Sequence, residues 1–380
     1  MDFSLSSEQQ QLKDSSDKFA IRGYGFSRHL ATLRQPGHVD LSTWAQLADF
    51  GWLALPLPES AGGLGGSGTD VSLVSESLGA GMVLEPFISG VLLPGKLIAL
   101  AGSVAQQGSI LPLLAEGRLQ MAVAWAENNK RQDPSHCETV AERNDGGWLL
   151  SGRKLCVLNA PNAERLLVSA RTTGASNDEI GISLFDISAK APGVCLQSYP
   201  LMGGGVASNI VLDHVQLSAD ALLGSVGNGF AALDAALDHA TVAACAQALG
   251  AMGQLLDRTL NYLRVRKQFG VAIGSFQVLQ HRAVDMFIEL EQSRSMVMMA
   301  AVRVDSLDAR ERRLGVSAAK AYLCKATKFV AQQAVQLHGG IGVTEELDVG
   351  HYFRQLTAFG TLYGDREWHL DRYATLSRTA

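Results

Sequence analysis

The sequence predicts a mainly helical α+β fold in which a short β region separates two helical regions. Apolar residues recur at helical spacing up to about residue 120, short apolar runs bounded by turn residues follow, and long Ala- and Leu-rich runs fill the rest. A chain of 380 residues is also too long for a single hydrophobic core. We therefore expect an N-terminal helical domain at 1–120, a β barrel or sandwich at 121–225 and a C-terminal four-helix bundle at 226–380.

The N-terminal region opens on a helix-start signal, because Ser6 and Gln9 have the spacing of a capping box. The Gly- and Pro-rich stretch 56–70 is predicted to be a loop. Within it, residues 63–68 read GLGGSG, which matches the G-x-G-x-x-G pattern of dinucleotide-binding folds. That pattern requires a preceding strand, whereas 57–60 reads LPES, so we interpret the glycines as a connection between helices.

The middle region is predicted to consist of short strands. Its apolar runs contain β-branched and aromatic residues and are separated by turn residues, as is typical of a barrel or sandwich. The predicted strands are 121–125, 148–152, 165–170, 182–186 and 209–212.

Two motifs interrupt the long helical runs of the C-terminal region. The first, RKQFG at 266–270, is predicted to end a helix at Gly270, with its basic residues in the last turn, where cations suit the helix dipole. That interpretation does not account for Phe269. In the second, QLHGGIG at 336–342, adjacent glycines follow the end of a helix. Backbone without side chains favours the close approach of a ligand such as a nucleotide phosphate.

The composition argues against several classes of function. The net charge of −5, without a basic stripe, argues against a nucleic-acid partner. The five cysteines form no C-x-x-C pair, so neither a disulfide framework nor a metal site is expected. The N-terminus lacks a signal-peptide pattern and no apolar run is long enough to span a membrane, so we expect a cytoplasmic protein.

The ordered motifs of the C-terminal region resemble those of the acyl-CoA dehydrogenases. They are RKQFG at 266–270, GSFQ at 274–277 and QLHGGIG at 336–342. The resemblance extends over essentially the whole chain, since 62–65 resembles the family's G-G-x-G, 126–127 its T-E-P and 152–154 its G-x-K. It implies a helical, β, helical architecture, assembly as a tetramer, and an FAD that lies across a subunit interface.

The resemblance also implies which residues bind the cofactor. In the family, two C-terminal segments of one subunit hold the diphosphate and adenine end of a neighbour's FAD. The matching residues here are Arg266, Gln268, Phe269, Gln277, Gln336, Gly339 and Gly340. An Arg beside a diphosphate makes a charge-assisted contact, and the bare backbone of paired glycines permits close approach.

The reaction that the resemblance implies removes a proton from the α carbon of an acyl-CoA and a hydride from its β carbon, and the hydride passes to the flavin. The proton needs a carboxylate base. The family's two base positions correspond to Tyr363 and Ala240, and neither residue acts as a base at neutral pH. Asp365 is the nearest acidic candidate, with N-capping of the final helix as its alternative role, and Glu127 and Asp238 are weaker candidates.

The positions that match the family's own flavin-ring pocket have changed as well. Residues 156–158 read Cys-Val-Leu where the family has W-I-T, and the segment 126–133 has lost a Thr and a Gly-Ser. Residues that would serve a neighbour's FAD are present, whereas those for the chain's own flavin ring are not. This uneven pattern favours a heteromer with a paralogous subunit, as in some bacterial members that act on bulky or steroid-derived CoA thioesters.

Three functions are compatible with this pattern. The first is an FAD-dependent acyl-CoA dehydrogenase subunit, in a homo- or hetero-tetramer, that passes electrons to an electron-transfer flavoprotein. The second is a catalytically degenerate subunit that completes a partner's FAD site, and the third is a flavin oxidase of the same fold. The ending GDREWHL at 364–370 is similar to that of pimeloyl-CoA dehydrogenase small subunits.

Overall fold

A computed structural model of the chain describes residues 4–127, 133–144 and 146–378. Helices dominate both ends of this part of the chain and strands its middle, as the sequence predicts. The helices are α1 (Ser7–Asp17), α2 (Gly25–Thr32), α3 (Leu41–Asp49), α4 (Gly68–Ala80), α5 (Leu93–Ala101), α6 (Val104–Ala115), α7 (Phe230–Val265), α8 (Gln277–Arg303), α9 (Ala309–His338), α10 (Asp348–Phe359) and α11 (Arg366–Arg378). The strands are β1 (Met121–Ala124), β2 (Val140–Asn144), β3 (Gly147–Leu158), β4 (Arg165–Arg171), β5 (Ile182–Ser188), β6 (Val194–Pro200), β7 (Val206–Ser218), β8 (Leu222–Leu223), β9 (Lys267–Gln268) and β10 (Val271–Ala272).

The chain divides into two compact units, and the division falls inside α7. The first unit comprises Met1–Ala31, Ser67–Val83 and Thr241–Ala380, and the second comprises Thr32–Gly66 and Leu84–Ala240. The first unit is helical apart from the short pair β9–β10, and the second contains all the other strands.

In the first unit, α9 packs against α8, α10 and α11, while α4 packs against α1 and α8. Small residues allow the closest of the helix contacts. A Cβ added to Gly79 on α4 would lie 2.0 Å from the carbonyl oxygen of Gln247 on α7, and one added to Gly250 would lie 1.9 Å from that of Glu76. Glycine is therefore required at both positions for α4 and α7 to approach this closely.

The second unit is built around an eight-stranded sheet with the order β6-β7-β3-β2-β4-β5-β8, and β1 pairs in parallel with β4. Its core is apolar and aromatic, with the rings of Trp148 and Phe185 in an edge contact at 5.3 Å. The long antiparallel pair β3–β7 is interrupted by a register shift between Lys154 and Val157. Such a bulge bends the strand and changes the direction of its side chains.

The local expectations at Ser6 and at the glycines of 63–68 are confirmed. Ser6 caps α1, because the Gln9 N–H donates to its hydroxyl oxygen at 3.2 Å and the Gln9 side chain accepts the Ser6 N–H at 3.1 Å. The glycines at 63–68 follow a short turn at Glu59–Ala61 and lead into α4, with no described strand before them. No helix in the part of the chain that the structure describes is long and apolar enough to cross a membrane.

Other local expectations need correction. Helix α7 ends at Val265 and not at Gly270, because the chain turns into the hairpin β9–β10 directly after Arg266. The sequence does not predict β2 or β6, whose residues VAERN and VCLQSYP are partly or fully exposed along most of their length. Such strands lack the continuous apolar run that marks a buried strand.

Candidate functional site

The RKQFG motif forms an exposed two-residue β-hairpin. Strands β9 and β10 pair antiparallel, with Gln268 opposite Val271, and Phe269 and Gly270 make the turn. Both turn residues have positive φ, +53° for Phe269 and +83° for Gly270, as the tight turns of β-hairpins require. Glycine and asparagine adopt this conformation readily, whereas a bulky aromatic residue is strained in it.

The ring at the tip of this hairpin points away from the protein. Phe269 is 91% exposed, and its ring makes a T-shaped contact with the ring of Phe276 at a centroid distance of 6.2 Å. A large apolar side chain that is both strained and exposed does not stabilise the isolated chain. Its position therefore indicates a contact with something outside the chain.

Phe269→Asn is expected to stabilise the isolated chain by about 1 kcal/mol, because Asn-Gly is a favoured sequence for this turn. Urea unfolding followed by circular dichroism measures the change. Leu307→Asn is the matched control, since Leu307 is 103% exposed and does not have a positive φ. A Phe269→Asn chain that is no more stable than the wild type would show that the turn is unstrained.

The second motif lies at the end of α9. That helix ends at His338, and Gly339 follows with a φ of +67°. A Cβ added at Gly339 or Gly340 would meet no described atom within 4 Å, whereas one added at Gly342 would lie 3.0 Å from the His338 Cβ. Gly342 is therefore closely packed, while Gly339 and Gly340 leave an open backbone face that a ligand can approach.

A ring stack joins the ends of the two helices that carry these motifs. Tyr262, near the end of α7, stacks on His338 with centroids 4.5 Å apart and 29° between the ring planes. The His338 Nδ1 donates to the Ala334 carbonyl at 2.8 Å, and burial lowers the pKa of His338 in spite of that bond, so the ring is neutral at pH 7. The stack places the start of the hairpin and the glycine pair at the same end of the first unit.

The remaining residues that the sequence singles out here are exposed. They are Arg266, Gln268, Gln277 and Gln336. The Arg266 guanidinium forms no ion pair with any residue that the structure describes. An uncompensated guanidinium at the same end of the first unit as open glycine backbone is well suited to bind a phosphate group.

Next to the hairpin, a groove of about 360 Å³ lies between the end of α7 and the start of α8. It is lined by Leu260, Leu263, Arg264, Gly274, Gln280, Ala283, Val284 and Phe287. Apolar residues of α8 are exposed around this groove, namely Val278 (62%), Val284 (54%), Phe287 (54%) and Ile288 (45%). Several large exposed apolar side chains on one helix are typical of a contact between proteins.

The candidate base positions show no free carboxylate. Tyr363 is half-buried in the turn between α10 and α11, and Ala240 is fully buried in α7. The Asp365 Oδ1 accepts the Trp368 N–H at 2.9 Å, which is the N-capping interaction considered for it as an alternative to catalysis. Asp238 is 2% exposed within α7 and has an interaction partner.

Glu127 belongs to a buried ion pair with Lys154. The Lys154 Nζ lies 2.5 Å from the Glu127 Oε1, and the Lys and Glu side chains are 0% and 3% exposed. The Thr139 hydroxyl and N–H donate to the same oxygen at 2.7 and 3.1 Å, and the Glu138 N–H donates to the other at 2.5 Å. Burial by itself raises the pKa of Glu127, but Lys154 and these donors lower it overall.

A carboxylate with these partners is anionic and fully hydrogen-bonded, so Glu127 is not suited to take a proton from a substrate. The ion pair is the feature that reasoning from the sequence missed. Its two residues are 27 positions apart, and no local pattern links them. The matches to T-E-P at 126–127 and to G-x-K at 152–154 were the available signal.

The strand position that matches the family's flavin-contacting segment is irregular. Cys156 has a φ of +50° at the register shift in β3, and its N–H donates to the Asn209 side-chain oxygen at 3.1 Å. The Tyr199 hydroxyl donates to the same oxygen at 3.1 Å. The other changed positions, Asn128, Arg131 and Gln132, lie outside the described residues.

Comparison with known protein families covers nearly the whole chain. Profiles of the acyl-CoA dehydrogenases match at 6–118 for the N-terminal domain, 122–215 for the middle domain and 227–375 for the C-terminal domain. These matches confirm the predicted fold class.

Individual proteins give the same result. Acyl-CoA dehydrogenase FadE12 of Mycobacterium tuberculosis is 30% identical over 353 residues, which cover 91% of this chain and 89% of that protein. The ChsE4-ChsE5 complex from Mycobacterium tuberculosis aligns with 25% identity and a TM-score of 0.90 over 100% of both chains. The Tcur3481-Tcur3483 steroid ACAD aligns with 28% identity and a TM-score of 0.88 over 99% of both chains. The chain therefore belongs to the acyl-CoA dehydrogenase family of FAD-dependent oxidoreductases.

Proposed function

We propose that the chain is a subunit of an FAD-dependent acyl-CoA dehydrogenase and that it binds the nucleotide half of an FAD whose flavin ring lies on a neighbouring subunit. The observation that carries this proposal is the exposed, strained Phe269 in the hairpin that follows Arg266. The open backbone at Gly339 and Gly340, at the same end of the unit, supports it. A self-contained chain gains nothing from an aromatic ring held outward in this conformation.

These residues fit the chemistry of an FAD diphosphate. Arg266 would donate to phosphate oxygens through its guanidinium, a charge-assisted contact that is stronger than a neutral hydrogen bond. Gly339 and Gly340 would let the backbone approach the diphosphate without a steric clash, and Phe269 would offer its ring to the adenine. When bound, FAD supplies the acceptor for the hydride from the substrate's β carbon.

A paralogous partner subunit would complete the assembly. Tyr363 and Ala240 occupy the family's base positions, so the carboxylate base would come from that partner. The exposed apolar face of α8 would be buried in the contact between subunits. The similarity to ChsE4-ChsE5, which is a complex of two different proteins, also favours a heteromer.

The absence of a carboxylate at Tyr363 and Ala240 favours one second candidate function. In that case the chain is catalytically degenerate and only completes the FAD site of its partner. Both candidates require the same nucleotide half-site, and they differ in whether this chain contacts the acyl group.

An acyl-CoA thioester is the proposed substrate of the assembly. The similarity to a steroid ACAD favours a bulky, steroid-derived acyl group. The proposed electron acceptor is an electron-transfer flavoprotein, and this rests on the family resemblance.

Visible spectroscopy of the purified protein tests the proposal. The chain alone is expected to be colourless. When it is co-purified with the product of an adjacent paralogous gene, the complex is expected to bind FAD and to show the visible absorbance of a flavoprotein. Bleaching of the complex by an acyl-CoA would support the dehydrogenase. A lone chain that carries FAD and is itself bleached would instead support a homomeric enzyme with a relocated base, and a complex without FAD would contradict the proposal.

A further inference from the structure

Buried side chains hold the turn that joins α10 to α11. The Lys320 Nζ donates to the Phe359 carbonyl at 2.5 Å, and the His369 Nε2 donates to the Tyr363 carbonyl at 2.9 Å. Lys320 is 0% exposed and His369 is 1% exposed. The last residue of α10 and a residue within the turn are therefore each bonded to a buried donor.

The backbone of this turn adopts a conformation that its sequence does not favour. Tyr363 has a φ of +54° and Gly364 a φ of +98°. A Cβ added to Gly364 would lie 2.8 Å from both the His369 Nε2 and the Trp368 ring. Glycine is thus required at 364, and the left-handed conformation of Tyr363 persists because its surroundings impose it.

The chemistry of the two donors agrees with a positioning role. Because a carbonyl oxygen can only accept, the His369 Nε2 carries the hydrogen, which leaves Nδ1 to accept from the Ser317 hydroxyl at 3.3 Å. Burial lowers the pKa of His369 to about 3, so it stays neutral in this arrangement. The Lys320 Nζ lies 3.6 Å from the centre of the Phe359 ring, and burial lowers the pKa of Lys320 as well.

Burying a polar or ionisable side chain costs free energy that its hydrogen bonds only partly offset. The presence of two such groups, both directed at carbonyls of one strained turn, therefore points to a need for geometry. Lys320 and His369 lie on α9 and α11, so the turn is held between two helices of the first unit.

We propose that Lys320 and His369 are positioning residues that hold position 363 in a left-handed conformation, so that the turn presents the side chain at this position in one fixed place. The proposal rests on the proposed function, because the family resemblance makes position 363 the site from which a base acts on the substrate's α proton. The backbone of the turn would then hold position 363 in the place from which a base acts, although the residue at this position is a tyrosine. The substitution Tyr363→Glu would place a carboxylate at this position.

Unfolding temperatures test the positioning role without any activity measurement. Tyr363→Asn relieves the strain and is expected to raise the unfolding temperature of the wild-type chain by about 2 °C. In a His369→Leu chain, which lacks the donor, Tyr363→Asn is expected to give no rise in the unfolding temperature. In a His369→Gln chain, which retains an N–H donor, most of the rise is expected to remain. Lys320→Met provides an independent background in which the rise should also disappear. Equal rises in all backgrounds would overturn the proposal.

Proton exchange tests the functional part. The protein is used as purified, with butyryl-CoA as the probe and deuterium oxide as the solvent. The carboxylate introduced by Tyr363→Glu takes the α proton, the electron pair of the broken C–H bond stays on the α carbon next to the thioester carbonyl, and a solvent deuteron then replaces the proton. Deuterium incorporation, measured by NMR, is expected to rise at least tenfold over the wild type, and adding His369→Leu should remove that gain.

The two experiments separate the two ways of failing. A gain in exchange that survives both His369→Leu and Lys320→Met would overturn the positioning role. Coupled unfolding temperatures without any gain in exchange would support the positioning role and contradict the assignment of position 363 to the substrate site, which belongs to the proposed function.

Discussion

Lys154→Met is expected to lower the free energy of unfolding by about 3–5 kcal/mol, because it leaves the buried carboxylate of Glu127 without its counter-charge. Glu127 is 3% exposed and keeps only neutral donors in this variant. Met has a similar length to Lys, so the loss reports the missing charge more than a missing volume. Urea unfolding followed by circular dichroism measures it.

Two further variants make this result specific. The double substitution Lys154→Met with Glu127→Leu removes both charges and is expected to recover much of the loss. Lys325→Met is the matched control, because Lys325 pairs with Glu289 at 2.9 Å but is 59% exposed, and such pairs contribute at most about 1 kcal/mol. If Lys154→Met cost no more than Lys325→Met, the buried pair would not be an important element of the β region.

The stability difference between Lys154→Met and the wild type is expected to become smaller as the pH falls. In the wild type the folded pKa of Glu127 lies below its ordinary value of 4.5, although burial acts in the opposite direction. The carboxylate therefore contributes stability above about pH 4.5 that is lost as the pH falls through the folded pKa. Without Lys154, burial dominates and raises the pKa of Glu127. Protonation at low pH then removes the unpaired buried charge and its destabilising effect. Urea midpoints at pH 7 and pH 4 test this, and a constant difference would contradict it.

Arg266→Ala is expected to weaken FAD retention about 10- to 100-fold in the assembled protein, because a hydrogen bond to a charged group contributes about 1.5–3 kcal/mol. Arg266 is exposed, so the fold itself should be unaffected. The measurement is the FAD content after gel filtration, together with the dissociation constant from fluorescence titration. Arg266→Lys keeps the positive charge but loses the planar guanidinium with its several donors, so an intermediate affinity for FAD is expected.

Arg34→Ala is the matched control for this experiment, because Arg34 is an exposed arginine that lies far from the hairpin in sequence. It should leave FAD retention unchanged. Phe269→Asn should reduce FAD retention too, although it stabilises the lone chain, so this variant alone is expected to have opposite effects on folding and on FAD binding. An Arg266→Ala complex with unchanged FAD affinity would remove that residue from the proposed site.

Much of the fold could be predicted from the sequence. The capping box at Ser6, the helical run that ends at His338 and the strands at 165–170 and 182–186 depend on residues that are close in sequence. The end of α7 could not be predicted from the local sequence, because RKQFG suits both a helix end with basic residues and a hairpin with an aromatic turn residue. Pairing between β9 and β10 decided between them.

The candidate site could be predicted only as a set of residues. The exposed side chain of Phe269, its positive φ and the open backbone at Gly339 are properties of the folded backbone. The Tyr262–His338 stack that joins the two motifs has no counterpart in the motif pattern. The sequence is compatible with Asp365 as a base or as an N-cap, and the N-capping bond from the Trp368 N–H exists only in the folded chain.

By itself, the sequence determined the order of helical and β regions and the motifs that carry the family resemblance, since periodicity, caps and turn residues act over a few positions. Only the tertiary structure decided that Glu127 is neutralised by Lys154 and that Lys320 and His369 hold the turn around Tyr363. The physical reason is that burial and hydrogen bonding depend on which distant segments pack together, and the free energy of a charge or of a strained residue follows from those neighbours.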